Sequence, residues 1–284
     1  MKGHFNKNSQ DYRLILMQKK QKLDESNNLT RIRKEGTYSS TNLIRGSMIN
    51  EMHAIFSECQ KTNEKNSLRN RVMVDNIVHK NSFYQRENVW RIFDQRYLSC
   101  PPWILLSIAR PAKEGVNSTD FIGQTYLYYV FRERLVHEFM TECIWSKWKN
   151  KQTKIEYSDA VNFFTLKEKD VPAIRQWSEK TIVRCAQSTL AALRDFGILR
   201  GTVNKSIQKP RISLEAAFQL LCILKAEGHE GRALIEARDW RLFLLNEVEV
   251  IELFTRMSMM KWIRFERSGQ TTILELVRIP EESI

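Results

Sequence analysis

Apolar side chains return at three- and four-residue steps along most of this 284-residue chain, and that period commits it to helices. Leu43, Ile44, Met48, Met52, Ile55 and Phe56 form one stripe, opened by Ser39, Ser40 or Thr41 as N-cap and closed by the polar run 61–66. A longer one, from Phe121 through Tyr126, Tyr129 and Phe139 to Ile144, predicts a single helix from about Thr119 to Lys149, the central core helix of the first half. Further stripes cover 158–166, 178–196, 213–226, 232–245 and 248–260. Period-two alternation is confined to a short hairpin after Gly197 and to a closing ribbon around Ser268-Gly269-Gln270. The expected fold class is mainly α: a helical bundle with helix-turn-helix or winged-helix-like elements and small β-hairpins.

The chain is long enough for two domains with separate cores. The natural divisions are a basic N-terminal arm (1–40), a helical domain (41–155) and a second helical domain ending in a β-hairpin (156–284). Within the arm, Arg31, Arg33 and Lys34 suit either a loosely docked tail or a strand that tracks phosphates. Lys and Arg outnumber Asp and Glu by 45 to 33, a net charge of +12 that favours polyanionic partners. The excess is uneven: residues 1–150 carry 24 basic against 15 acidic side chains, and residues 151–284 carry 21 against 18.

Two segments present these cations on helices of recognisable arrangement. In residues 67–98 a short helix carries Arg69 and Arg71 outward, a turn holds Lys80, and a second helix shows Gln85, Arg86, Asn88, Arg91 and Gln95 opposite Trp90, Phe93 and Tyr97. Two short helices about a tight turn, with Arg, Gln and Asn on the second, match a helix-turn-helix. In residues 178–211, Ser178 caps a helix whose inner stripe is Ile182, Ala186, Leu190, Leu193 and Phe196. Its outer face carries Lys180, Arg184 and Arg194; Gly197 is placed to end it in a left-handed turn, and Arg200, Lys205, Lys209 and Arg211 mark a basic hairpin behind it. These twelve cations are the candidate DNA contacts, and double-stranded DNA is the expected partner. The alternatives are a protein-protein scaffold, using the aromatic surface near Trp145 and Trp148, and an RNA-binding factor.

Catalytic signatures are missing. There is no phosphate-cradling glycine loop, no nucleophile elbow, and His137-Glu138 fails as a zinc helix because Thr141 stands where the second histidine belongs. His137 reads instead as a partly buried structural histidine. Cys59, Cys100, Cys143, Cys185 and Cys222 show no C-x-x-C spacing and read as small core side chains in a reducing, cytoplasmic setting. No cofactor, metal or enzymatic activity is expected. The polar start and the short apolar runs predict neither a signal peptide nor integral membrane association.

At these residues the chain resembles the BrxA proteins of bacteriophage-exclusion (BREX) defence systems. Asn76, Lys80, Ser82 and the pair Arg96-Tyr97 fit the family's N-terminal block, with Arg91 near its usual arginine. Trp177–Gly201 resembles the second block, and Lys209–Ser213 and Asp239–Leu245 also fit. The resemblance runs from about Thr41 to Ile279, leaving 1–40 as an extension. It implies a mainly helical, non-catalytic, DNA-binding cytoplasmic protein. It also implies possible BREX partners: a methyltransferase, an ATPase and a phosphatase.

Overall fold

A computed structural model of the chain describes residues 29–62, 64–269 and 271–278. The first half comprises α1 (29–34), α2 (Ser40–Leu43), α3 (Ile49–Cys59), α4 (Lys65–Met73) and α5 (Phe83–Phe93), which runs on as a π turn over Asp94–Leu98. It continues with α6 (Pro102–Ala112), α7 (Thr119–Arg132), α8 (Arg134–Glu138), a π turn (Phe139–Ile144) and α9 (Trp145–Lys149). The second half holds β1 (Lys154–Ile155), α10 (Tyr157–Lys167), α11 (Pro172–Arg175), α12 (Glu179–Asp195), β2 (Leu199–Arg200) and β3 (Lys205–Ile207). Then come α13 (Leu214–Ala226), α14 (Arg232–Glu236), a 3-10 turn (Arg238–Phe243), α15 (Glu247–Met259) and the ribbon β4 (Ile263–Ser268) with β5 (Thr271–Leu276). The fold is mainly α with small antiparallel strand pairs, as the periodicity predicts.

Helix α7 is the centre. Every residue from Gly123 to Phe131 is buried, because neighbours enclose the helix all round: α6 and α13 pack on it, and α3 packs on α6. Buried side chains from both halves join one hydrophobic cluster running from Leu29 to Leu274. Strand β1 pairs with β3 across the expected 155/156 division, Lys154 opposite Ser206 and Ile155 opposite Lys205.

Three differences from the sequence expectation have a clear physical cause, and the 232–245 stripe is also broken, into α14 and a 3-10 turn. The long helix 119–149 is broken at Glu133 (φ −99°, ψ 82°). Thr37 inserts there, its N–H donating to the Arg132 carbonyl (3.0 Å) while its own carbonyl accepts from Arg134 N–H (3.2 Å). The helix expected from Ser39 onward is also broken, between α2 and α3, with Gly46 and Met48 at positive φ. Both breaks face Arg96, which is fully buried. Its Nε donates to Glu133 Oε1 (3.0 Å), Nη1 to the carbonyl of Gly46 (2.9 Å), and Nη2 to that of Asn42 (3.3 Å). Its guanidinium lies 4.7 Å from the Tyr129 ring centre.

The third difference is the arm. Residues 29–40 are docked: Leu29 and Ile32 are buried, and Arg33 pairs with Glu227 (2.7 Å) and Asp239 (2.8 Å). The rest of the arm, 1–28, lies outside the described residues. Asp239 also accepts from His137 Nε2 (2.6 Å), whose ring lies against Phe131, so His137 is the structural histidine expected. Burial alone would raise the Asp239 carboxyl, but the His137 and Arg33 bonds outweigh it and hold it down to about 2, against 3.8 for a free side chain. A carboxyl with a depressed folded pKa stabilises above its unfolded value and loses that contribution as pH falls through the folded one. Urea unfolding from pH 5 to 2 should therefore show a loss of about 2 kcal/mol attributable to this group. Asp239→Asn should flatten that part of the slope; an unchanged slope would assign the acid loss elsewhere.

Candidate nucleic-acid interface

Helix α12 forms because its apolar residues keep a helical period and both ends are capped. Ser178 Oγ accepts from Thr181 N–H (3.2 Å), and Gly197 takes φ +75° to turn the chain out. The inner stripe, Ile182, Ala186, Leu190 and Leu193, is buried, with α10 and α2 packed against the helix. Lys180, Arg184, Gln187 and Arg194 are exposed at positions that align along one outer stripe, with Ala191 half-buried among them. Gly201, Thr202, Val203 and Asn204 then turn β2 into β3, and Val203 at the tip is 89% exposed. The three strands lie in the order β1-β3-β2. Only Lys205 of the expected hairpin arm Lys205–Arg211 sits in a strand with the residues after it to Ile207; Lys209 and Arg211 follow in the connection to α13.

The twelve candidate cations divide by what already holds them. Arg71 is paired with Glu58 (3.2 Å) and Asp75 (2.6 Å), Lys80 with Glu51 (2.5 Å), and Lys209 with Glu249. Arg91 donates to Asn42 Oδ1 (3.2 Å) and Gln95 Oε1 (3.3 Å), Arg194 pairs with its neighbour Asp195 (3.1 Å), and Lys205 donates to the Thr202 carbonyl. Among the described residues, Lys180, Arg184, Arg69, Arg200 and Arg211 are exposed without an ion-pair partner. Arg86 is half-buried, its Nε enclosed without a partner. An unpaired cation has no internal contact to give up on meeting a phosphate, so the first unit offers less than its composition suggests and α12 offers more.

The two candidate helices lie on one groove of about 460 Å³. Gln85 and Asn88 of α5 line it from one side, Ser188, Ala191 and Asp195 of α12 from another, and the α2–α3 connection contributes Arg45. Arg45 is exposed and unpaired among the described residues. Sequence reasoning missed it because the apolar stripe reads straight through the 44–48 break. Its signal was the adjoining Gly46.

Other features bear on rival chemistry. Trp145 and Trp148 are half-buried against the core, and Arg241 lies over Trp145 at 5.7 Å, which reduces the aromatic surface a scaffold would present. Burial pushes the Cys185 thiol up to about 12, as it does Cys59, Cys100 and Cys222, so these sulfurs are not poised as nucleophiles at neutral pH. A second cleft, about 610 Å³, lies between α6 and the first turns of α7 and α13; its Glu215 and Arg278 satisfy each other (2.7 and 3.1 Å) over Trp262. Among the described residues no group of three or more His, Cys, Asp or Glu could hold a metal, and no helix is long and apolar enough to cross a membrane.

Comparison with solved structures finds a similar fold in an uncharacterized protein from Magnetospirillum magneticum (TM-score 0.57, 12% identity), covering 74% of this chain and 100% of that one. A comparison with curated proteins gives no match. The family model described as BrxA matches residues 11–221, a span that takes in α1 to α12, the β1-β3-β2 sheet and most of α13. Residues 11–40 thus fall within the family match rather than in an extension, and the fit at Asp239–Leu245 falls beyond it. With well over half its length matched, the chain belongs to the BrxA family, and through it to BREX-type phage defence.

Proposed function

We propose that this protein is a non-enzymatic, duplex-DNA-binding component of a cytoplasmic BREX defence system, acting beside the system's methyltransferase, ATPase and phosphatase. The observation that carries the reading is the outer stripe of α12: among the described residues Lys180 and Arg184 have no ion-pair partner, Gln187 lies between them and Arg194, and no acid of another element pairs with these side chains. The sheet order β1-β3-β2 with α10 and α12 ahead of the turn is the connectivity of a winged helix, in which the helix before the wing enters the major groove. On this reading α12 is the recognition helix, the 201–204 turn is the wing tip, and Arg200 and Arg211 flank it on the phosphates.

Phosphate neutralisation releases counterions, so affinity must fall steeply with salt. With about six contacts, a mobility-shift assay on random duplex should lose roughly a thousandfold in affinity between about 50 and 200 mM salt. A flat response, or structured RNA outcompeting duplex of equal length, would overturn the reading.

The wing supplies a separate check. Gly201 has φ +97°, and a Cβ there would lie 2.1 Å from the Asn204 carbonyl oxygen. Gly201→Ala should reshape the turn, costing about 1–2 kcal/mol of stability from the left-handed backbone and lowering DNA affinity severalfold while leaving the core folded. Intact affinity in a variant shown to fold would remove the wing from the interface.

A further inference from the structure

We propose that the docked arm carries a second phosphate seat, a pocket of about 340 Å³ between α1, α8 and the start of the 3-10 turn, which holds one backbone phosphate of the duplex bound at α12. The inference rests on the DNA-binding reading and adds to it a contact outside the winged-helix unit. Arg33, Lys34, Arg134 and Arg238 line the pocket, against the carboxylates of Glu138 and Glu142.

Internal pairing decides which of these cations a ligand can use. Arg33 is committed to Glu227 (2.7 Å) and Asp239 (2.8 Å), and Asp239 is closed on its other oxygen by His137 (2.6 Å). Arg238 is committed to Glu142 (2.7 Å), and Lys167 reaches both Glu142 (3.0 Å) and Glu138 (2.9 Å). Tyr38 also donates to Glu138. Burial raises the Glu142 carboxyl, but the bonds from Arg238 and Lys167 outweigh it and hold the group below its usual range. Both carboxylates of the pocket are therefore already answered within the protein. Lys34 and Arg134 are left over: both are exposed, and among the described residues neither has an ion-pair partner. Arg134 is nonetheless held in place, its guanidinium 5.5 Å from the Tyr38 ring centre and its backbone N–H on the Thr37 carbonyl (3.2 Å). Two cations with no acid left to answer them select an anion, and the two free oxygens of one phosphate can take both. A neutral ligand would leave them unpaired.

The segment after α1 ties this pocket to α12. Tyr38 lies beneath Arg134, and two residues on, the Ser40 carbonyl lies 3.9 Å from the sulfur of Cys185, which follows Arg184 in α12. Two residues span at most about 7 Å, so one duplex can reach both places. Of the arm's three cations, Arg31 and Arg33 are spent on protein carboxylates, and Lys34 is the one turned outward.

The test is fluorescence anisotropy on a labelled random duplex between about 50 and 200 mM salt, comparing the unaltered protein with Lys34→Ala/Arg134→Ala. The variant should bind about tenfold more weakly at low salt, and its log-affinity against log-salt slope should shrink by close to 0.9, one phosphate contact. Lys34→Arg/Arg134→Lys keeps both charges and should keep the slope. Lys113→Ala/Lys149→Ala removes two exposed charges that do not line the pocket and should also keep it. An unchanged slope in the first variant, or an equal change in the Lys113/Lys149 control, overturns the inference and leaves the α12 reading standing. So does a charge-conserving variant that behaves like the alanine one, which would assign the loss to packing on Tyr38. Inorganic phosphate added at constant ionic strength should leave the complex in place. Displacement of the duplex by phosphate, lost in the alanine variant, would assign the pocket to a free anion and overturn the DNA contact. No binding of duplex at all removes both readings.

Discussion

Arg96→Met should lower unfolding stability by about 3–5 kcal/mol, the largest single-residue effect expected in this chain. The side chain is wholly buried, and it closes three separate pieces of backbone: the α2–α3 connection, the π turn that follows α5, and the α7–α8 break. Burial pushes the Glu133 carboxyl above its usual range, against the pull of Arg96, and its Oε2 has no hydrogen-bond partner among the described residues. Removing the guanidinium therefore leaves an enclosed carboxyl without its bonded cation, only the more distant Arg132 and Arg91 remaining, and takes a donor from the carbonyls of Gly46 and Asn42. Arg96→Met/Glu133→Gln should recover part of the loss, because the stranded charge goes with its partner. Urea denaturation of the two variants measures both quantities. A loss below about 1 kcal/mol for Arg96→Met would show that the pair is not what locks the breaks together.

That same arginine shows where sequence reasoning stopped. Arg96-Tyr97 was visible as a motif, but on a helix pattern an arginine reads as a surface residue. Its burial follows from groups at residues 42–47 and at 133, at sequence separations no local window contains. The same holds for the break at Glu133, whose apolar period continues through it unaltered and whose cause, Thr37, arrives from a segment that composition assigns to a polar tail. Strand β1 is two residues long, too short to alternate, and exists only because β3 offers it an edge. What local chemistry controls was legible: the Ser178 cap of α12, the left-handed Gly197, the amphipathic face of α12 and the closing ribbon. At the candidate interface, residue type identified the cations but could not tell which were already neutralised. Lys80 and Lys209 have the same local signature as Lys180, yet their carboxylate partners lie 29 and 40 residues away.

That distinction sets the outcome of the decisive interface experiment. Replacing Lys180, Arg184 and Arg194 together by Ala should reduce duplex affinity by about a hundredfold or more at low salt. It should also lower the magnitude of the log-affinity against log-salt slope by close to 0.9 for each phosphate contact removed, near 3 in all. The control triple, Arg71→Ala, Lys80→Ala and Lys209→Ala, removes the same number of positive charges. Each of these is bound to a carboxylate of the protein, so its loss frees an acid instead of a phosphate contact. That control should change affinity only through the net charge, by less than about tenfold, and should leave the slope near its original value. Stability should divide the other way. The α12 side chains are exposed, and among the described residues Lys180 and Arg184 have no ion-pair partner, so unfolding should move within about 0.5 kcal/mol for each. The control triple breaks ion pairs, and Glu58 and Glu51 lie largely enclosed beside theirs, so it should be the less stable protein. Equal losses of affinity in the two triples would mean that the protein attracts DNA by its overall field, with no face of α12 set against the phosphates. A slope unchanged in the α12 triple would move the contact surface away from this helix altogether.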